Sequence, residues 1–220
     1  MGPLVGRIWL PDRPGALGAV ASAIGAVNGD LVGIDILERG AGRAIDELVV
    51  ELPDAATIPE LTRALQAVDG VDVEDVRSVR DEAHDPRLDA LDTAIALVES
   101  HTVETLFEAL ARRACRDFEA DWAAIIDHRS SMPLASVGKP PETPWISAFV
   151  QGSRASMRVA AGETGPDDVA WANLSAADLT LVLGRHGRPF RARERRQATA
   201  LVRIADARWT EMVVHRRESP

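Results

Sequence analysis

The sequence predicts two α+β units in one chain, and three observations carry that expectation. Strand-patterned and helix-patterned runs alternate through residues 4–79 in the order strand, helix, strand, strand, helix, strand. A polar, proline-containing stretch without apolar periodicity, Arg80 to Arg87, then breaks the pattern. Beyond it come two helical stripes, several short strands and a long terminal helix. At 220 residues the chain can build two small cores. The boundaries read as 1–80, a linker at 81–87, a second unit at 88–214 and a tail at 215–220.

Leu4 to Leu10 is an apolar run of strand length, and Ala16 to Val27 repeats Leu17, Val20, Ile24 and Val27 at helical spacing. Asp12, Arg13, Pro14 and Gly15 turn the chain between them. Asp12 has the side chain to cap the helix, and Pro14 has the fixed φ that suits a first helical turn. The leading N–H groups of such a helix lack intrahelical partners, so the turn is also a place for an anion. Asn28-Gly29-Asp30 stops the helix. From Leu31 to Glu38, Val32, Ile34 and Ile36 share one parity, as in a strand covered mainly on one face. Gly40-Ala41-Gly42 then leads into Ala44 to Leu52, closing a hairpin. Thr57-Ile58-Pro59-Glu60 has capping-box spacing and heads a helix through Leu61, Leu65 and Val68, which Asp69-Gly70 ends. Val71, Val73, Val76 and Val79 make the last strand, and its parity shift between Val73 and Val76 predicts a bulge. This order is the split unit of ferredoxin-like folds, an antiparallel sheet with two helices on one face.

In the second unit, Leu88, Leu91, Ile95 and Val98 form one helical stripe, and Val103, Leu106, Phe107, Leu110, Ala114 and Phe118 form a longer one. Trp122 to Ile126 is a strand. Arg129 to Pro144 reads as loop apart from a short strand at Leu134 to Val137, Trp145 to Val150 as a short helix, and Ala161 to Asp168 as another loop. Val169 to Leu174 and Leu179 to Gly184 pair antiparallel through Ser175 to Asp178. A final helix from about Arg191 to Val214 is expected to dock on the first two helices through Leu201, Val202, Ala205 and Trp209. Helices therefore bracket a sheet.

Composition narrows the function. A formal net charge of −9 argues against general nucleic-acid binding, which needs a cationic surface. The charge is uneven, with 13 acids against 7 arginines in residues 1–80 and 10 arginines against 3 acids from Arg185 to Arg217. The longest uncharged stretch, Pro14 to Gly29, falls short of the ~20 apolar residues of a membrane span, and no leader pattern opens the chain, so a cytoplasmic location is expected. The single cysteine, Cys115, sits at an apolar helical position, and the histidines at 84, 101, 128, 186 and 215 show no metal-ligand spacing. Ser130 and Ser131 beside His128 are the one cluster suggesting nucleophilic catalysis, and a polar loop explains them. Phosphate-loop and dinucleotide motifs are missing, so no enzyme and no cofactor are expected.

The strand ending in Asp12-Arg13-Pro14-Gly15-Ala16-Leu17, the helix, the Asn28-Gly29-Asp30-Leu31 turn and the element order together resemble the ACT domain over about residues 4–79. That family senses amino acids in many metabolic enzymes. The resemblance implies a regulatory, non-catalytic protein that binds a free amino acid or similar small metabolite. The ligand would sit where the loop Asp12 to Leu17 faces the start of the second strand, Asn28 to Leu31, often across a dimer interface. Carried onto this chain, the ligand-binding residues are Asp12, Arg13, Pro14, Gly15, Ala16, Leu17, Asn28, Gly29, Asp30 and Leu31. Backbone N–H groups of Gly15, Ala16 and Leu17 would take a carboxylate, and Asp12 and Asp30 an ammonium. The family often has Asn where Asp30 stands. Paired carboxylates repel without a cation, so such a pocket favours a basic amino acid, a second cation or a protonated Asp.

Residues 88–214, with Gly187-Arg188-Pro189-Phe190 before the terminal helix, resemble a small GAF domain. The cyclic-nucleotide signature of that family is absent, so no GAF ligand carries over. A lone ferredoxin-like half covers one sheet face only, hence a homodimer is expected. Two other readings stay open at this point: a dimerisation module with an empty pocket, and the sensor arm of a transcriptional regulator acting through another chain.

Overall fold

The computed structural model describes residues 3–53, 58–78, 86–155 and 166–218. The capping box at Thr57, the strand end at Val79, the linker residues 81–85 with His84, and residues 161–165 lie outside the described residues. The chain divides into two compact units, Met1–His84 and Asp85–Pro220.

The first unit runs β1 (Leu4–Pro11), α1 (Ala16–Ala26), β2 (Asp30–Gly40), β3 (Arg43–Glu51), α2 (Ile58–Gln66) and β4 (Asp72–Ser78). Its sheet has the order β2-β3-β1-β4 with every neighbour antiparallel. Leu4, Ile8 and Leu10 of β1 share a face with Ala44, Leu48 and Val50 of β3, and onto that face pack Val20 and Ile24 of α1 and Leu61 and Leu65 of α2. Alternation in the strands and 3.6-residue periodicity in the helices thus meet in one core. The bulge is where the parity shift puts it: the register slips between Arg7 and Ile8, leaving Glu74 as the extra residue of β4. On the opposite face the buried Arg7 guanidinium donates to Glu47 at 2.9 Å, and the Trp9 indole N–H donates to Glu74 at 2.7 Å.

The second unit runs α3 (Pro86–Val98), α4 (Val103–Asp117), β5 (Trp122–Asp127), β6 (Pro133–Gly138), α5 (Thr143–Ala155), β7 (Val169–Leu174), β8 (Leu179–Gly184) and α6 (Ala192–Glu218). Its sheet, also antiparallel, has the order β6-β5-β8-β7. One face carries Ile125, Leu181 and Leu183 against Leu106 and Leu110 of α4 and Val202 and Ala205 of α6. On the other face, Trp122, Trp171 and Val182 meet Ile146 and Val150 of α5. Leu201 is buried and Trp209 partly buried in the first of these cores, as the docking of the terminal helix requires.

Two expectations change here. α5 is 13 residues long and begins at Thr143, so Pro144 lies inside its first turn, a position that proline's fixed φ favours, and not in the preceding loop. The larger change concerns α3. Leu88, Leu91, Ile95 and Val98 face solvent, while Thr93 and Leu97 are buried. Thr93 donates its hydroxyl to Asp117 of α4, and that bond turns the Thr93–Leu97 edge inward. The apolar stripe is therefore left outside.

Gly187-Arg188-Pro189-Phe190 owes its place to Arg185, whose guanidinium is almost completely buried. It donates to the carbonyls of Phe118, Arg188 and Pro189 at 2.8–2.9 Å and to Glu194 at 2.9 Å, and lies over the Phe190 ring. Glu194 also accepts the Arg191 N–H at 2.8 Å, at the start of α6.

Candidate functional site

The loop after β1 is tied down from three sides. Asp12 donates its N–H to Gly42 at 2.9 Å, Arg13 places its guanidinium 3.3 Å from Asp69, and Arg39 approaches the Asp12 carboxylate at 3.8 Å. The residue that caps α1 is Gly15, at φ 88° and ψ −16°, with no side-chain hydrogen bond. The expectation that Asp12 caps the helix and Pro14 sits in its first turn is thereby corrected. A capping side chain reaches the second or third helical N–H only from the residue just before the helix, and Asp12 lies too far upstream of Ala16. Glycine holds the cap because left-handed backbone there would strain any residue with a Cβ.

This cap leaves donors open. Ala16 gives its N–H to Arg13, whereas the N–H groups of Gly15, Leu17 and Gly18 find no acceptor among the described residues. A Cβ built on Gly15 meets nothing within 4 Å, so the space ahead of the helix is open. Of the three carboxylate donors expected, two remain available and Gly18 joins them.

Asn28 ends α1 at φ 57°, and the N–H groups of Asn28 and Gly29 return to Gly25 and Ile24 at 3.0 Å. Gly29 is there for close packing, since a Cβ would lie 2.9 Å from the side chains of Ile24 and Leu52. Asp30 and Leu31 open β2 opposite Glu51 and Val50, at one end of the sheet. Asp12 follows Pro11, which pairs with Arg43 at the other end. The 11 residues of α1, ~16 Å of helix, separate the two groups. Within one chain the structure does not bring Asn28–Leu31 to Asp12–Leu17.

Asp46 lies closer to the loop than that turn does: it is three residues along β3 from Arg43, the partner of Pro11. On β3, opposite Ile8 and Ile36, this residue shares the sheet face on which the helices pack. It is 3% exposed, and its Oδ1 is buried without a hydrogen bond. Burial pushes its carboxyl above the ordinary range; Arg39 pulls it back and Asp12 pushes it further up. The two groups acting on Asp46 are thus the ion pair at the loop. The sequence signal is an acid that interrupts the buried parity of Ala44, Leu48 and Val50.

The cluster at His128 is hydrogen-bonded on both sides of the ring. Its ring nitrogens lie 2.8 Å from Asp178 and 2.6 Å from Thr180, Ser130 donates to Asp127, and Gln151 donates to Ser131. Among the described residues no group of His, Cys, Asp and Glu is placed to hold a metal, and no helix is long and apolar enough to cross a membrane.

No curated protein matches the chain. Among solved structures it is similar to one titled "Crystal Structure of an Unknown Protein from Galdieria sulphuraria", 13% identical over 94% of this chain and 92% of that one at a TM-score of 0.32. A likeness that low supports no argument about fold or function. The second unit is named by no matching family model. Residues 7–70, within the first unit, match the model of the ACT domain, a family that is generally regulatory and binds amino acids.

Proposed function

We propose that this is a non-catalytic regulatory protein whose first unit binds a free amino acid at the start of α1. The N–H groups of Gly15, Leu17 and Gly18 take the α-carboxylate, aided by the positive end of the helix. Asp46 takes the ammonium, and Asp12 and Arg39 set the charge at the mouth. The observation that carries this reading is the buried Asp46 oxygen without a partner, on the strand that pairs with β1 just before the loop with open donors. A ligand with an anionic and a cationic end satisfies both at once.

Because α1 holds Asn28–Leu31 away from its own loop, the turn that completes the site comes from a second copy. Edge strand β2 leaves Val32, Ile34 and Ile36 partly exposed, which pairing of copies would cover. Light scattering is expected to give about twice the chain mass of 23.7 kDa; a single-chain mass at micromolar concentration, with and without amino acids, contradicts the dimer. The second unit we read as GAF-like, supported by its antiparallel sheet between α4 and α6 on one face and α5 on the other.

A thermal-shift screen against the common amino acids tests the binding itself. Ligand at a hundred times its dissociation constant adds about 2.7 kcal/mol of stability to the unit that binds it. No shift with any of them leaves the dimerisation-only reading standing.

A further inference from the structure

Trp122, Lys139, Trp145, Asp168, Gly184 and His186 line a cavity of about 300 Å³ in the second unit. They meet at one end of its sheet. Trp122 opens β5 and pairs with Gly138, the last residue of β6, and with Gly184, the last residue of β8; Gly184 pairs in turn with Val169, which opens β7. Lys139 follows Gly138 and Asp168 precedes Val169. Trp145 reaches the cavity from the first turn of α5. Between the sheet and α5 the space is filled by Trp171, Val182, Ile146 and Val150, so the cavity opens past the strand ends.

Its walls are aromatic. Trp122 is 5% exposed and its ring lies against Gly184, where a Cβ would collide with Nε1, Cε2 and Cζ2. The Trp122 indole N–H finds no acceptor among the described residues, although buried indoles usually have one. Trp145 is 46% exposed, and stacking on Phe149, with ring centroids 5.6 Å apart and planes 2° apart, fixes its direction. The polar groups carry both signs. Lys139, the one lysine of the sequence, and Asp168 are exposed, and neither side chain has a hydrogen bond or ion pair among the described residues. The Arg185 N–H donates to the Asp168 carbonyl at 3.1 Å, and His186 Nδ1 lies 2.7 Å from Asp121, so the rim is held in place.

We propose that this cavity binds a planar aromatic acid that also carries an N–H donor. The ring lies against Trp145, the carboxylate takes the Lys139 ammonium and the Trp122 N–H, and the ligand's N–H donates to Asp168. Aromatic walls with a few convergent polar groups are the usual form of a small-molecule site. The proposal is independent of the loop reading, since it stands if the first unit binds nothing.

The probe 2-aminobenzoate has the ring, the acid and the donor, and it fluoresces, so its anisotropy with the full chain reads binding directly. Binding is expected to saturate below about 1 mM, within reach of ~10 heavy atoms. Cyclohexanecarboxylate, which lacks the flat ring, and aniline, which lacks the acid, should not displace it at the same concentrations. Lys139→Gln should weaken binding about tenfold, and Lys139→Arg, which keeps the cation, much less. Trp145→Ala should weaken it by about the same factor. Both positions are exposed, so circular dichroism of the variants should match the parent. No saturable binding of 2-aminobenzoate overturns the proposal. So does binding that Lys139→Gln and Trp145→Ala leave unchanged, which puts the probe elsewhere, or equal displacement by cyclohexanecarboxylate, which means that the aromatic walls select nothing.

Discussion

Asp46→Asn is expected to stabilise the free protein at neutral pH and to weaken its binding of an amino acid, two effects of opposite benefit from one substitution. A buried carboxylate oxygen without a partner costs ~1–3 kcal/mol, and the amide removes the charge at nearly constant shape. The pH dependence has a definite sign. A carboxyl whose folded pKa is raised favours the folded state below its unfolded value near 3.8 and loses that contribution as pH rises through the folded value. The gain from Asn should therefore be largest at neutral pH and vanish in acid. Binding should weaken by about ten- to a hundredfold, the worth of one hydrogen bond to a charged group. Melting curves across pH decide the first part: a variant less stable than the parent at neutral pH would mean that Asp46 is satisfied in the free protein. Unpaired charge retained at a cost to stability is the signature expected of a binding residue.

Arg185→Ala carries the other large effect, and it falls on the second unit. Arg185 and Glu194 are both nearly buried, with Nη1 and Oε1 2.8 Å apart. Removing the guanidinium takes from the Glu194 carboxylate its buried cation and takes a donor from three backbone carbonyls at once. Breaking one side of a buried ion pair costs ~3–5 kcal/mol, a large fraction of what a domain has in hand. Urea unfolding should show the transition of the second unit moved to much lower denaturant, with that of the first unchanged. A shift below about 1 kcal/mol would show that water or a neighbour replaces Arg185 at no cost.

Much of the first unit was legible because its signals are local. The apolar runs of β1 and β3, the stop at Asn28-Gly29 and the parity shift between Val73 and Val76 each act within a few residues, and the structure realises them. Asp46 was not legible, because its nearness to the loop follows from pairing across β1 and β3 between residues far apart in sequence. The same limit explains α3. Periodicity says that Leu88, Leu91, Ile95 and Val98 share a side, but which side faces inward was decided by the bond from Thr93 to Asp117 on another helix. The helix cap failed for a related reason: Asp12 has a capping side chain, yet the backbone at Gly15 sets where the helix begins.

The central claim, that an amino acid binds at the start of α1, is tested most directly by calorimetric titration of the full chain and of Gly15→Val with the amino acid that the thermal screen selects. Valine at a left-handed position costs ~1–2 kcal/mol, which leaves the chain folded by circular dichroism, and its side chain projects into the open space ahead of the helix. The account predicts a saturable heat for the parent and none for Gly15→Val at the same concentrations. Equal affinity in both proteins would contradict it and place the ligand away from this loop.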